Sequence, residues 1–137
     1  MPLFLAFDYG EKRIGVAVGD DLTRSARALA AVAGNDWPSL DKLVSEWRPS
    51  ALIVGLPLHE DGSEQRTTAA ARAFATQLGA RTRLPVHLAD ERYSSRAADD
   101  LLRDARASGR MTRRVRKGDR DAQAARVILQ QWLEQNV

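Results

Sequence analysis

The sequence contains no cysteine and only two histidines, His59 and His87, among its 137 residues. The absence of cysteine excludes disulfides and thiolate metal sites. A zinc site with nitrogen ligands is poorly supported, because His87 lies inside an apolar stretch where a core residue is the simpler interpretation. Any metal in this chain is therefore expected to bind oxygen ligands.

Long apolar runs are also absent. The longest, Ala51 to Leu58, is far shorter than the roughly 20 residues that cross a bilayer. The first residues, Met1 to Asp8, lack the basic start and the long apolar stretch of a signal peptide. We expect a cytoplasmic protein with no membrane partner. With 44% hydrophobic and 28% charged residues, the composition predicts a single globular domain over residues 1–137.

Basic charge is concentrated in one part of the chain. The net charge is +3, but Arg92 to Arg120 contains ten basic and four acidic residues, which leaves the remainder slightly acidic. The densest part, Arg110 to Arg120, has no aromatic residue, and this is typical of a loop. Crowded like charges favour a segment that binds a polyanion, while a solvated loop that keeps the protein soluble is the alternative.

The apolar pattern predicts five strands and four helices. The strands are expected at Leu3–Asp8, Arg13–Gly19, Ala26–Val32, Ala51–Gly55 and Pro85–Ala89, the first two forming a hairpin and the last two buried. The helices are expected from Pro38 to Trp47, from Ser63 to Leu78 with Gly79 as the stop, from Ser94 or Ser95 to Gly109, and from Asp121 to Glu134. An antiparallel meander followed by strand–helix alternation predicts an α/β fold, with a mixed sheet flanked by helices.

Two acids, Asp8 and Glu91, lie at or just past the ends of apolar strands. Open α/β sheets place their ligand crevices at such strand ends. The alternative is that each acid caps a turn or pairs with a nearby base: Lys12, Arg13 or Arg92. Because two strands end in this way, we favour a shared acidic site.

A third acid comes from the last helix, where Asp119 and Asp121 compete. Asp121 falls on the helix face of the apolar residues Ala124, Ala125, Ile128 and Trp132. Asp119 falls on the opposite face or serves as a cap. An acid on a buried face carries a desolvation cost that a cation can offset. Oxygen ligands favour Mg²⁺ or Mn²⁺, and two such ions can activate water for attack on phosphorus.

Four motifs in order closely resemble the YqgF family, also called RuvX. They are Phe7–Asp20, Ile53–Leu58 with Asp61–Glu64, Asp90–Ser95 and Asp121–Leu129. The resemblance implies a RuvC-like protein with the ribonuclease H-like fold and a five-stranded mixed sheet. It also implies a nuclease of structured nucleic acid, RNA or branched DNA, described as acting on pre-16S ribosomal RNA or on Holliday junctions.

Carried over residue by residue, the resemblance assigns Asp8, Glu91 and Asp121 as catalytic residues and metal ligands, with the Gly55-Leu-Pro loop between them. Arg120 and Ala122 depart from the aliphatic residue and the serine that usually flank the family's last aspartate. A junction resolvase would need two active sites, which leaves a homodimer open. The residues predicted to contact nucleic acid are Lys12, Arg13, Arg92, Arg110, Arg113, Arg114, Arg116 and Lys117.

Two other readings compete with the nuclease. An ATPase of the actin and sugar-kinase type also begins with an Asp-x-Gly hairpin, but it needs two lobes to enclose its nucleotide. A non-catalytic nucleic-acid-binding or transcription-associated module would keep the fold and the basic loop. Such a binder gains nothing from acids that repel phosphates, and so the carboxylates favour cleavage.

Overall fold

The computed structural model describes residues 2–34, 36–58, 61–90 and 117–137, with the backbone alone described at 117–119. The strands are β1 (Leu3–Asp8), β2 (Arg13–Asp20), β3 (Ala26–Ala33), β4 (Ala51–Leu56) and β5 (Val86–Asp90). The helices in this part of the chain are α1 (Trp37–Trp47), α2 (Thr68–Thr82) and α3 (Lys117–Asn136). None of them is long and apolar enough to cross a membrane.

The five strands form one mixed sheet in the order β3-β2-β1-β4-β5. β1, β2 and β3 make the predicted antiparallel meander, whereas β4 is parallel to both β1 and β5. Since β1, β4 and β5 point the same way, their C-terminal ends meet at one edge of the sheet. The mixed sheet flanked by helices confirms the predicted α/β architecture.

Helices cover both faces of this sheet because side chains alternate along each strand. On one face, Leu5 and Phe7 pack with Phe74 of α2 and with α1. On the other face, Ala6 packs against α3, where Leu129 is completely buried. Each face therefore has its own core, and α3 is the helix that covers the second one.

Small residues on β2 let α3 approach this second face closely. Gly15, Ala17 and Gly19 alternate along the strand, and Ala17 belongs to the core under α3. A Cβ on Gly19 would lie 3.1 Å from side-chain carbons of both Leu129 and Leu133. The helix thus packs directly on strand backbone.

The predicted bounds of α2 are wrong at both ends. Ser63 lies in a turn, where its amide and hydroxyl donate to the Asp61 carboxylate at 2.8 and 2.6 Å, so the helix begins later, at Thr68. Gly79 does not stop the helix, since the cost of one glycine is only about 1 kcal/mol. The stop is Arg83, whose left-handed conformation (φ 59°) lets its N–H donate to the Gly79 carbonyl at 2.8 Å.

β5 is less buried than its apolar sequence predicts. Its one strand partner in the described sheet is β4, and both His87 and Leu88 are exposed. His87 is therefore not a core residue. The centroid of its ring lies 5.3 Å from the ring centroid of Trp132 on α3. An apolar run does not distinguish a central strand from one at the border of a sheet. The helix predicted from Ser94 or Ser95 to Gly109 lies outside the described residues.

Candidate active site

Asp8 is the last residue of β1, the central strand of the sheet. Its Cα partner on β2 is Gly15. Alternation along β1 places Asp8 on the face of Phe4 and Ala6, which α3 covers. The carboxylate thus lies at the edge where the parallel strands end, as expected from sequence.

Asp121 reaches the same place from α3. The helix begins before it, at Lys117, and the sheet-facing residues Ala125 and Ile128 follow it at helical spacing. A Cβ added to Gly15 would overlap the backbone carbonyl of Asp121. Asp8 is the strand partner of Gly15 and Asp121 packs on it, so Gly15 brings the two acids together.

The side chain of Asp121 forms an ion pair with Arg13 of β2. Arg13 Nε donates to Asp121 Oδ2 at 2.6 Å, and the two side chains are 38% and 24% exposed. The sequence suggested Arg13 as a partner for Asp8 or for nucleic acid, and the structure pairs it with the other acid. A pair this exposed contributes only about 0–1 kcal/mol to folding.

The loop after β4 lies between the ends of β1 and β5, because β4 is hydrogen-bonded to both strands. Thr68, which is completely buried, donates its hydroxyl to the carbonyl of Pro57 in this loop. Gln65 Nε2 donates to the carbonyl of Leu58 at 2.8 Å. Thr68, the first residue of α2, and Gln65 just before it therefore fix the Gly55-Leu-Pro loop at the edge of the sheet that carries Asp8 and Asp121, here called the acidic edge.

Two of the three predicted acids are thus found at one edge and on one face. Glu91 lies outside the described residues, and no three acidic or histidine side chains gather within them. Carboxylate oxygens of Asp8 and Asp121 are the ligands that hard divalent cations prefer, and so the residues present fit Mg²⁺ or Mn²⁺.

The predicted nucleic-acid contacts are only partly described. Lys12 is exposed in the β1–β2 turn, and Arg13 is half-buried beside it. Lys117 opens α3, where its backbone alone is described. The other five lie outside the described residues: Arg92, Arg110, Arg113, Arg114 and Arg116.

Sequence reasoning missed the role of Gly15 and the pair between Arg13 and Asp121. A signal for the first was present, since small residues alternate in an otherwise apolar β2 and indicate a close approach on one face. The ion pair joins residues 108 positions apart and has no local signal.

The sheet order and the helices on both faces define the ribonuclease H-like class of folds. The chain belongs to the RuvX family: the family model, described as "Holliday junction resolvase", matches residues 2–135. A protein of Burkholderia lata named "Putative pre-16S rRNA nuclease" is 52% identical over 135 residues, covering 96% of this chain and 88% of its own. A protein of the same name from Burkholderia cenocepacia is 51% identical with the same coverage.

Solved structures show the same fold. T. thermophilus RuvC in complex with a Holliday junction substrate aligns with a TM-score of 0.60 at 15% identity, over 98% of this chain and 95% of RuvC. Fowlpox virus resolvase with Holliday junction DNA aligns with a TM-score of 0.52 at 11% identity, over 96% of this chain and 99% of the resolvase. The likeness to RuvC confirms the predicted ribonuclease H-like fold, and family membership confirms the predicted nuclease class.

Proposed function

We propose that this chain is a divalent-metal-dependent nuclease that hydrolyses phosphodiester bonds of structured nucleic acid. Processing of the pre-16S rRNA 5′ end and resolution of Holliday junctions are the two candidate activities. The observation that carries the proposal is the meeting of Asp8 and Asp121 around Gly15. It occurs in a chain 51% identical to a protein named "Putative pre-16S rRNA nuclease", within a family described as "Holliday junction resolvase".

In this proposal Asp8, Glu91 and Asp121 hold Mg²⁺ or Mn²⁺ within one catalytic domain. The metal, when bound, activates the attacking water and stabilises the leaving oxygen. Asp8 sits on the central strand and Asp121 on a helix packed against strand backbone. Rigid elements of this kind hold ligands in fixed geometry without substrate. Because the metal would activate water as the nucleophile, the site needs no nucleophilic side chain.

The basic residues named from the sequence would bind the phosphate backbone beside these acids. Lys12 fits this role, since it is exposed in the turn that follows Asp8. Phosphate contacts position the substrate without reading its sequence, and so the same surface serves RNA and branched DNA. A junction has two strands to cut, and for that substrate we propose a homodimer.

A non-catalytic binding module is the second candidate. Asp8 and Asp121 argue against it, because acids in a groove for nucleic acid repel the phosphates that a binder must hold. The ion pair with Arg13 balances one of these charges and leaves the acidic edge in place.

A cleavage panel tests the proposal. Purified protein is incubated with a pre-16S rRNA 5′-end fragment, a four-way DNA junction, linear duplex DNA and single-stranded RNA, each with Mn²⁺ or with EDTA. We expect cleavage of the rRNA fragment or the junction with Mn²⁺ and none with EDTA. Binding of these substrates without cleavage in Mn²⁺ or Mg²⁺ would favour the binding module.

A further inference from the structure

Arg13 lies at the acidic edge, where one of its guanidinium N–H groups donates to Asp121. A guanidinium has five N–H donors, one on Nε and four on the two terminal Nη nitrogens. Nε donates to Asp121, and this is the hydrogen bond that the Arg13 side chain makes within the described residues. With 38% of the side chain exposed, solvent or a ligand can reach the group.

Folding alone does not explain this pair. A half-exposed ion pair adds about 0–1 kcal/mol to stability. The position of α3 over β2 is already determined by backbone contact at Gly15 and by the core around Leu129. The pair instead fixes the direction of a flexible arginine side chain at the proposed site of cleavage.

An arginine held through Nε presents its two Nη groups as a planar fork. Such a fork matches two non-bridging oxygens of a phosphate, and restraint of the side chain before binding lowers the entropy cost. Asp121 Oδ2 accepts from Arg13, which leaves Oδ1 as the oxygen for a metal. One carboxylate can thus hold both the metal and the arginine.

We propose that Arg13 is a catalytic residue whose Nη groups bind the non-bridging oxygens of the phosphodiester that is cleaved, with Asp121 holding its Nε. The proposal rests on the proposed nuclease function and adds a role that a general backbone contact does not have. The fork stabilises charge on the phosphate as water attacks, so it acts on the rate of cleavage more than on binding.

Three variants separate this role from simple charge. Arg13→Gln removes the charge and the fork, whereas Arg13→Lys keeps the charge alone. The matched control is Arg72→Gln, because Arg72 also donates through Nε to one acid, Glu64, at 3.0 Å. Arg72 lies on α2, on the opposite face of the sheet from α3, and Glu64 lies just before that helix.

For each variant, the single-turnover cleavage rate in saturating Mn²⁺ is measured together with the Kd for the same substrate in EDTA. We expect Arg13→Gln to cleave about 10²- to 10³-fold slower, the loss seen when one donor to a developing charge is removed. Arg13→Lys should bind within about twofold of wild type, as its charge is unchanged, yet cleave at least about tenfold slower because an ammonium has no fork. Arg72→Gln should match wild type in both measurements.

Wild-type cleavage by Arg13→Lys would overturn the proposal, since charge alone would then suffice. It would also be overturned if Arg13→Gln cleaved as fast as Arg72→Gln in saturating Mn²⁺, because a defect seen only below saturation would lie in metal binding. These outcomes differ from failure of the nuclease proposal, in which wild-type cleavage is absent or persists in EDTA.

Discussion

The backbone carbonyl of Asp121 lies against Gly15, at the point where a side chain on this strand residue would begin. Gly15 is also the strand partner of Asp8. A residue without a side chain therefore joins an acid from the first strand to an acid from the last helix. The packing of α3 and the geometry of the candidate site depend on the same contact.

Replacing Gly15 with alanine tests this dependence. The added Cβ must push α3 away from β2, and overpacking of this kind costs about 1–3 kcal/mol. Movement of Asp121 by even 1 Å should lower Mn²⁺-dependent cleavage by up to about 10²-fold. Urea unfolding and a cleavage assay measure the two effects.

Gly79→Ala is the control for Gly15→Ala. Gly79 lies inside α2, and a Cβ there would be in ordinary contact with Val86, 3.4 Å away. Alanine should therefore raise stability by about 0.5–1 kcal/mol and leave cleavage unchanged. A Gly15→Ala protein as stable and as active as this control would contradict the close contact.

The sequence predicted local structure well where patterns are local. β1 is predicted at the observed bounds, and α1 begins near Pro38 and ends at Trp47 as expected. Prediction from the sequence was wrong where tertiary context decides. Gly79 lies inside a helix that this glycine was expected to end, and His87 is exposed on a strand that was expected to be buried.

For the candidate site, strand ends and helix periodicity predicted that Asp8 and Asp121 lie at the same end of the sheet, and both are found there, while their role as metal ligands stays a prediction. The periodicity of α3 works because residues four apart share a face, so Ala125 reports the direction of Asp121. The partner of Asp121 could not be predicted, since many bases could reach a carboxylate and only the three-dimensional fold selects Arg13.

Stability should depend on acid pH through the N-cap of α1. The hydroxyl and the amide of Ser39 donate to the Asp36 carboxylate at 2.6 and 3.1 Å, and they hold the pKa of Asp36 below its ordinary value of 3.8. Because the pKa is lowered by folding, this contribution is complete above the ordinary pKa and is lost as pH falls through the lowered one.

Asp36→Asn isolates this contribution, since asparagine caps a helix without ionising. The difference in Tm between wild type and Asp36→Asn should stay constant above about pH 5 and shift against wild type as the pH falls below about 4. Thermal melts from pH 7 to pH 2 provide the measurement. A difference that is constant down to pH 2 would show that Ser39 does not stabilise the charged form.

The basic segment should contribute sequence-independent affinity. Replacing Arg113, Arg114 and Arg116 with alanine should weaken binding to all substrates about equally. Each lost phosphate contact lowers the slope of log Kd against log salt by about 0.7 to 0.9, so three contacts lower it by about 2 to 3. Binding is measured over a range of salt in EDTA, with lysine replacements as the control. An unchanged slope would identify the segment as solvated charge.

The most direct test of the metal-dependent nuclease is a comparison of Asp8→Asn with Asp20→Asn. Both changes remove one carboxylate charge and keep the side-chain shape. Asp20 pairs with Leu3 at the opposite end of β1 from Asp8, about 17 Å away at the usual rise per strand residue. Cleavage of the preferred substrate in Mn²⁺ is the readout, and calorimetry measures Mn²⁺ binding. Asp8→Asn should lose measurable Mn²⁺ binding and cleave roughly 10²- to 10³-fold slower, while Asp20→Asn behaves as wild type. Equal cleavage by the two variants, or wild-type cleavage in EDTA, would contradict the account.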